Sequence, residues 1–429
     1  MSPIGRENSR MSARDVPLIP RTARPYDLVL FGATSFVGQI VCRHLVARHG
    51  LTGPLRWAIA GRDAKKLQEV GEETGAKVER IVVDASDRIG LRALAESTRV
   101  IVSTVGPYAQ YGSDLVAAVA EAGTDYCDLT GETQWIHRMI HAHEATAKAT
   151  GARILHACGF DSVPSDLGVW FLQQEATRRT GSPCARISMR VKGFRGGASG
   201  GTIASMMNLV EEAGRDPTLR RLLLDPYALA PHEEKSSARQ PNLMQLGHDG
   251  VSQQWLAPFV MAAVNACIVH RSHALLGKPW GDPFTYDEAM MMGKGPLGAV
   301  KAYGFAAALG GFLGLASVAP ARRFLNHFVL PKAGEGPSKD AQATGFFDLR
   351  FYGTTKRGGT LVSRVTGDRD PGYGSTAKML GETAFLLTEL ERKDVGGGFW
   401  TPSTAFGDRL IERLKLHAGL SFEVLDEAG

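Results

Sequence analysis

The stretch DLVLFGATSFVG, residues 27–38, sets the fold. Four apolar residues, 28–31, run into Gly32 and a turn of small side chains, and a helical pattern follows from 36 to about 48. Strand, tight turn and helix in that order make the opening unit of a dinucleotide site. Gly32 takes the turn without a Cβ clash, and Gly38 lets the helix pack closely on the strand. The helix N-terminus, after Thr34 and Ser35 and beginning with Phe36 and Val37, offers N–H groups and a positive dipole end to a pyrophosphate. Ser35 stands where this fingerprint usually carries its middle glycine.

Outward from that unit the rhythm repeats. Strand patterns fall near 27–31, 56–60, 78–83, 100–104, 125–128 and 153–157, with helical patterns near 36–48, 63–73, 88–97, 113–122 and 132–149. This alternation predicts a doubly wound parallel sheet, α/β in class, with its ligand crevice at the carboxyl ends of the strands. After Pro164 the pattern changes. A helix is expected near 165–179, a strand over 184–194, a glycine-rich passage to 201, a helix near 202–214, and loop over 225–258. Strands return at 345–353 and 359–367, then a helix over 374–393, a short helix near 405–417 and a strand over 420–425. This part reads as a second α+β domain, a mixed sheet with helices. The expected division is a flexible leader over 1–24, a Rossmann domain over 25–163, a substrate domain over 164–403, and a C-terminal helix and strand, 404–429, packing back on the first domain.

Composition narrows the function. A formal charge of +5 over 429 residues, with no dense Lys/Arg stripe, argues against nucleic acid as partner. The five cysteines are scattered without C-x-x-C spacing, so neither zinc nor a disulfide framework is indicated, and a reducing cytoplasm is expected. His137 and His141 share a helix face but lack further ligands, so no metal site is expected. No G-x-S-x-G, H-E-x-x-H or Walker loop occurs. Residues 302–319 carry no charge and approach the length of a bilayer span. Three readings stay open: a buried core helix, an interfacial helix in contact with lipid, or a span. A buried or interfacial segment lining an apolar substrate path is favoured over a span.

Candidate site residues stand at the strand ends. After the second strand comes Arg62, where an NAD site usually places an acidic residue. A guanidinium here suits a 2′-phosphate, with Lys65 one turn on, so NADPH is favoured over NADH. Asp63 either faces a ribose or caps the next helix. Asp84 either contacts adenine or caps a helix. Ser103, Thr104, Val105, Gly106 and Pro107 form a turn on which a nucleotide lies close to backbone. Tyr108 is a candidate proton donor, or else a packed tyrosine. Asp128 and Glu132 emerge at the ligand end of the fifth strand. Asp161 and Ser162 are expected to point into the cleft between domains, and Ser165 or Asp166 to cap the helix behind Pro164.

GATSFVG at 32–38, AGR at 60–62, STVGPY at 103–108, YCDLTGE at 126–132 and GFDSVPSD at 159–166 form an ordered set. Together they resemble the saccharopine-dehydrogenase-like oxidoreductases, in particular their actinobacterial trans-acting enoyl reductase branch. The resemblance implies a Rossmann domain with a nicotinamide cofactor. It also implies reduction of a carbon–carbon double bond in a polyketide-type chain carried on a synthase or carrier protein, in synthesis of phthiocerol and phenolphthiocerol lipids. Tyr108, Asp128 and Ser162 are the catalytic candidates. Two alternatives remain: a saccharopine-like imine reductase, which would gather arginines such as Arg190 and Arg195 around a polar cleft, and a non-catalytic NADP(H)-binding protein.

Overall fold

The computed structural model describes residues 18–197, 200–324 and 338–425. Among these residues fourteen strands occur: β1 (Tyr26–Phe31), β2 (Trp57–Gly61), β3 (Glu79–Val82), β4 (Thr98–Ser103), β5 (Asp125–Asp128), β6 (Arg153–Leu155), β7 (Cys184–Arg195), β8 (Gly247–His248), β9 (Trp255–Ala257), β10 (Thr285–Gly293), β11 (Phe346–Thr355), β12 (Thr360–Gly367), β13 (Gly398–Trp400) and β14 (Leu420–Leu425). They form two seven-stranded sheets.

The first sheet is parallel throughout, in the order β13-β6-β5-β4-β1-β2-β3. Both faces are covered, which is why β1 reads as an unbroken apolar run. Leu28 and Leu30 face the helices Phe36–His49, Ala64–Thr74 and Thr376–Glu389, while Val29 and Phe31 face Arg88–Ser97, Ser113–Ala122 and Thr133–Thr150. Side-chain caps fix the helix starts at the crevice edge. Ser35 accepts from Gly38 N, Asp63 from Lys65 N and Lys66 N, and Asp87 from Ile89 N and Gly90 N.

The second sheet runs β14-β12-β11-β7-β10-β9-β8. Only β7 and β10 pair in parallel; the other neighbours are antiparallel. The helix Val163–Thr180 leads out of the first sheet and packs on β7, β11, β12 and β14. Buried charge is paired within this sheet: Arg190 lies 2.9 Å from Asp249 and 2.8 Å from Asp287, and Ser188 also donates to Asp287.

The chain crosses between sheets more often than its pattern predicts. β13, expected within the second domain, extends the first sheet beside β6. β14, expected to pack on the first domain, pairs with β12 at the edge of the second sheet. The helix Thr376–Glu389 covers the first sheet, and its Glu382 gathers His44, Arg48 and Arg413 at 2.9, 3.1 and 2.7 Å. Of the expected leader, 1–17 lie outside the described residues. Residues 18–24 are fastened: Arg21 pairs with Asp125 at 2.7 Å, and buried Arg24 donates to the carbonyls of Thr98 and Ala122, both at 2.7 Å. Within the stretch read as loop, β8 and β9 form a short hairpin.

The helix Gly295–Ser317 corrects the core-helix reading of the apolar segment: only Gly298, Ala302 and Ala316 are buried along it.

Candidate active site

The first sheet reverses its winding between β1 and β4, and the turns after these two strands lock together. Gly32 has φ +91°, and a Cβ there would stand 2.7 Å from Val105 Cγ2 and 2.8 Å from Thr104 Oγ1. A Cβ on Gly38 would stand 2.2 Å from the Gly32 carbonyl oxygen. Both positions therefore exclude a side chain. The Thr104 hydroxyl donates to Gly32 O at 2.9 Å and lies 2.9 Å from the Ser35 hydroxyl. Ser35 replaces the usual glycine by doing a different job: it caps the helix and ties its start to the β4 turn. The N–H groups of the first helical turn, including Phe36 and Val37, have no acceptor inside the helix and are presented at the switch point of the sheet.

The next turns settle the side chains around β2 and β3. Asp63 is held as a helix cap, so its carboxylate is not turned to a ribose. Arg62 and Lys65 are exposed, and Lys65 has only a loose pair with Glu69 at 3.9 Å. Asp84 accepts from both Ser86 N and Ser86 Oγ, and these hydrogen bonds hold its carboxyl below the usual range; Asp87, not Asp84, caps the helix that follows.

The catalytic candidates meet a different fate. Tyr108 is buried, its hydroxyl donates to the Ser103 carbonyl at 2.9 Å, and its ring lies 5.4 Å from that of Trp135. Burial, with the Asp128 charge nearby, pushes its hydroxyl well above the ordinary value. That is a packed tyrosine and not a group poised in an open crevice. Asp128 is fully buried. It accepts from Tyr126 OH, Thr130 N and Ala157 N, and lies 2.7 Å from His156 Nδ1. Glu132 accepts from Tyr108 N, Ala109 N and Ser205 Oγ, so it pins the β4 turn to the helix Gly200–Arg215. Ser162 is buried too. It donates to Asn265, which donates to Glu288, whose other oxygen accepts from Tyr286 at 2.6 Å. Burial pushes the Glu288 carboxyl up to about 7. Asp166 does not cap its own helix: it accepts from Ser272 Oγ, Ser403 Oγ and Ser403 N across the molecule.

Asp161, adjacent to Ser162, stands apart. It is half-buried, makes no hydrogen bond or ion pair among the described residues, and has its Oδ2 3.3 Å from where a Gly131 Cβ would be. Met261 Cε lies 3.4 Å from the same point. Leu129, Phe160 and Met261 pack around this seam as half-buried apolar groups, and Val105 does the same at the neighbouring β4 turn. Burial alone pushes the Asp161 carboxyl up to about 7. Asp161 and Ser162 are both expected in the cleft, and nothing in two adjacent polar letters tells which one finds a partner. The arginines of the imine-reductase alternative do not converge here. Arg190 is spent on Asp249 and Asp287, and Arg195 is exposed at the end of β7.

No protein-family model matches the chain. Among curated proteins, a Mycobacterium tuberculosis chain provisionally named a trans-acting enoyl reductase is 40% identical over 420 residues, covering 94% of this chain and 98% of its own. The trans-acting enoyl reductase of Mycobacterium bovis is 37% identical over 404 residues, covering 91% and 96%. The chain belongs to the trans-acting enoyl reductase family. It is therefore an oxidoreductase. The enoyl reductase of Mycobacterium ulcerans is also similar, at 36% identity over 405 residues. Among solved structures, saccharopine dehydrogenase (L-Glu forming) of Saccharomyces cerevisiae superposes with a TM-score of 0.53 at 13% identity, covering 94% of this chain and all of that one. That likeness shows the fold this family shares: a Rossmann-type parallel sheet with a second mixed sheet.

Proposed function

We propose that this enoyl reductase takes NADPH in the crevice of the first sheet and reduces the carbon–carbon double bond of an acyl chain at the seam between the sheets. The observation that carries the reading is a single free carboxyl, Asp161, in an apolar seam beside a dinucleotide-type turn. Gly32, Thr34, Ser35, Phe36, Val37 and Gly38 shape the pyrophosphate cradle. Gly32 and Gly38 keep it clear of side chains, so the residues present fit the group. Arg62 and Lys65, both uncommitted to strong pairs, suit the 2′-phosphate of NADPH better than the bare ribose of NADH. Asp84 would edge the adenine end, and the turn Ser103, Thr104, Val105, Gly106 and Pro107 would back the nicotinamide half. The chemistry that a bound reduced nicotinamide would supply there is a hydride for the β-carbon of the enoyl thioester. Asp161 supplies the balancing proton to the α-carbon and regains one from water. A carboxyl near 7 is still partly protonated at neutral pH, which an ordinary aspartic acid is not. Asp128, Ser162 and Tyr108 act one layer back, holding the strand ends that carry these groups.

The substrate is inferred to be a polyketide chain of the phthiocerol or phenolphthiocerol type, delivered on a synthase or carrier protein. The site of action is inferred to be the cytoplasm, at a membrane surface. The apolar seam speaks for an acyl chain over an amino-acid imine, since Arg190 is neutralised. Loss of nicotinamide absorbance on mixing NADPH, enzyme and a carrier-bound enoyl chain tests the reading. Turnover with saccharopine-type imines and none with enoyl chains would replace it. Tight NADPH binding with no hydride transfer to any acceptor would favour the non-catalytic alternative.

A further inference from the structure

The helix Gly295–Ser317 is apolar on nearly every side, yet it lies on the outside of the protein. Leu297, Val300 and Leu315 are 65%, 69% and 55% exposed. A soluble protein seldom leaves such a surface bare, and one that does usually has a partner for it. Charge selects the partner. Between 294 and 323 every charged residue is basic, Lys294 and Lys301 near one end and Arg322 and Arg323 at the other, with no Asp or Glu. A second copy docked helix on helix would set Lys294 and Lys301 either against themselves or against an end that offers them no carboxylate, since the helix carries none. An anionic lipid surface meets these two exposed lysines favourably.

The anchoring decides how the helix sits. Its first turn is pressed on β9: a Cβ on Gly298 would stand 2.3 Å from Gly293 O and 3.1 Å from Trp255 Cδ1, and the Trp255 ring lies 6.1 Å from that of Tyr303. Just past its other end, Arg322 pairs with Glu211 at 3.3 Å and donates to the Ala316 carbonyl at 3.1 Å. Glu211 belongs to the helix Gly200–Arg215. At about 1.5 Å per residue the helix is long enough to cross the hydrocarbon of a bilayer. Crossing would tear both ends from the same body.

We propose that Gly295–Ser317 is an interfacial helix that lies flat on an anionic phospholipid bilayer and docks the enzyme there without spanning it. The same body helix that holds Arg322 also carries Ser205, whose hydroxyl reaches Glu132 behind the crevice turn. The docking face and the crevice turn thus share one helix. This goes beyond the reaction assigned above and does not depend on it.

Sedimentation of the full chain with vesicles tests it. Wild type is expected to pellet with phosphatidylcholine–phosphatidylglycerol vesicles and far less with phosphatidylcholine alone, and alkaline carbonate is expected to release it. Lys294→Ala and Lys301→Ala should each weaken binding to the anionic vesicles roughly fivefold, the equivalent of about 1 kcal/mol per basic residue. Leu297→Glu combined with Val300→Glu should leave the protein in the supernatant, with circular dichroism and thermal unfolding unchanged because both side chains are exposed. Trp255 fluorescence, quenched by brominated lipid in wild type, gives an independent readout. Wild type left in the supernatant with both vesicle types, resistance to carbonate, or a dimer that the glutamate pair dissolves would each overturn the proposal.

Discussion

The crevice edge of the first sheet and the middle of the second handle buried carboxylates differently, although away from the crevice the first sheet also pairs charge with charge, as in Asp125 between Arg21 and Arg153. In the first, carboxylates at the crevice edge are satisfied largely by main-chain N–H groups: Asp128 by Thr130 and Ala157, Glu132 by Tyr108 and Ala109. Backbone donors hold the strand-end turns in shape and leave the crevice lined by backbone and small side chains. In the second, charge is paired with charge, as in Arg190 between Asp249 and Asp287. The first arrangement shapes the strand-end turns, and the second ties the strands of one sheet together. Asp161 belongs to neither, and it lies where the two meet.

The largest effect that separates them is expected at Arg190. Arg190→Ala strands two buried carboxylates and should cost roughly 3–5 kcal/mol of stability in chemical denaturation, with NADPH affinity of the folded protein unchanged. A loss of affinity without a loss of stability would break the comparison. Next comes Asp161→Asn, expected to lower kcat on the order of a thousandfold while NADPH binding persists. Its stability effect has a definite sign. Burial raises the Asp161 carboxyl from 3.8 to about 7. The folded protein therefore keeps a proton that the unfolded chain gives up, and this residue's contribution to stability falls as pH rises through that window. The asparagine variant should match wild type at the acid end and exceed it above pH 7; parallel stability curves would show that the carboxyl is not desolvated. Arg62→Ala should weaken NADPH, but not NADH, by roughly tenfold to a hundredfold in calorimetry, the worth of a charge-assisted hydrogen bond. Equal loss for both would move Arg62 away from the 2′-phosphate. Smallest is Tyr108→Phe: about 1 kcal/mol of stability for the lost bond to Ser103 O, with turnover unchanged.

The same contrast explains what the sequence made legible. β1 to β6 and their helices follow from apolar runs and capped amphipathic stretches, because a parallel sheet covered on both faces writes its burial into a plain alternation. The helix Ala262–Leu275 left no such trace. It is buried almost all round, with Asn265, His270 and Arg271 inside, so polar and apolar letters mix without a 3.6-residue period. β13 is three residues at the end of a glycine run, and only its partner β6 makes it a strand. The glycine turn and the exposed arginine after β2, on which the proposed cofactor site rests, are legible from local chemistry. Tyr108, Asp128 and Ser162 are buried and hydrogen-bonded, which the sequence does not reveal, because a polar residue at a strand end looks the same whether it faces the crevice or a buried partner. Only the third dimension shows that Asp161 is the one left unpaired.

The account is tested most directly by tracing both hydrogens of the product. With NADPH deuterated at the transferable position and a carrier-bound enoyl chain, mass spectrometry should find one deuterium on the β-carbon. With unlabelled NADPH in D2O, it should find one on the α-carbon, and the Asp161→Asn variant should lose that solvent-derived step while still binding NADPH. Product carrying no cofactor-derived deuterium, or solvent deuterium at both carbons, would contradict a crevice that passes hydride across the seam.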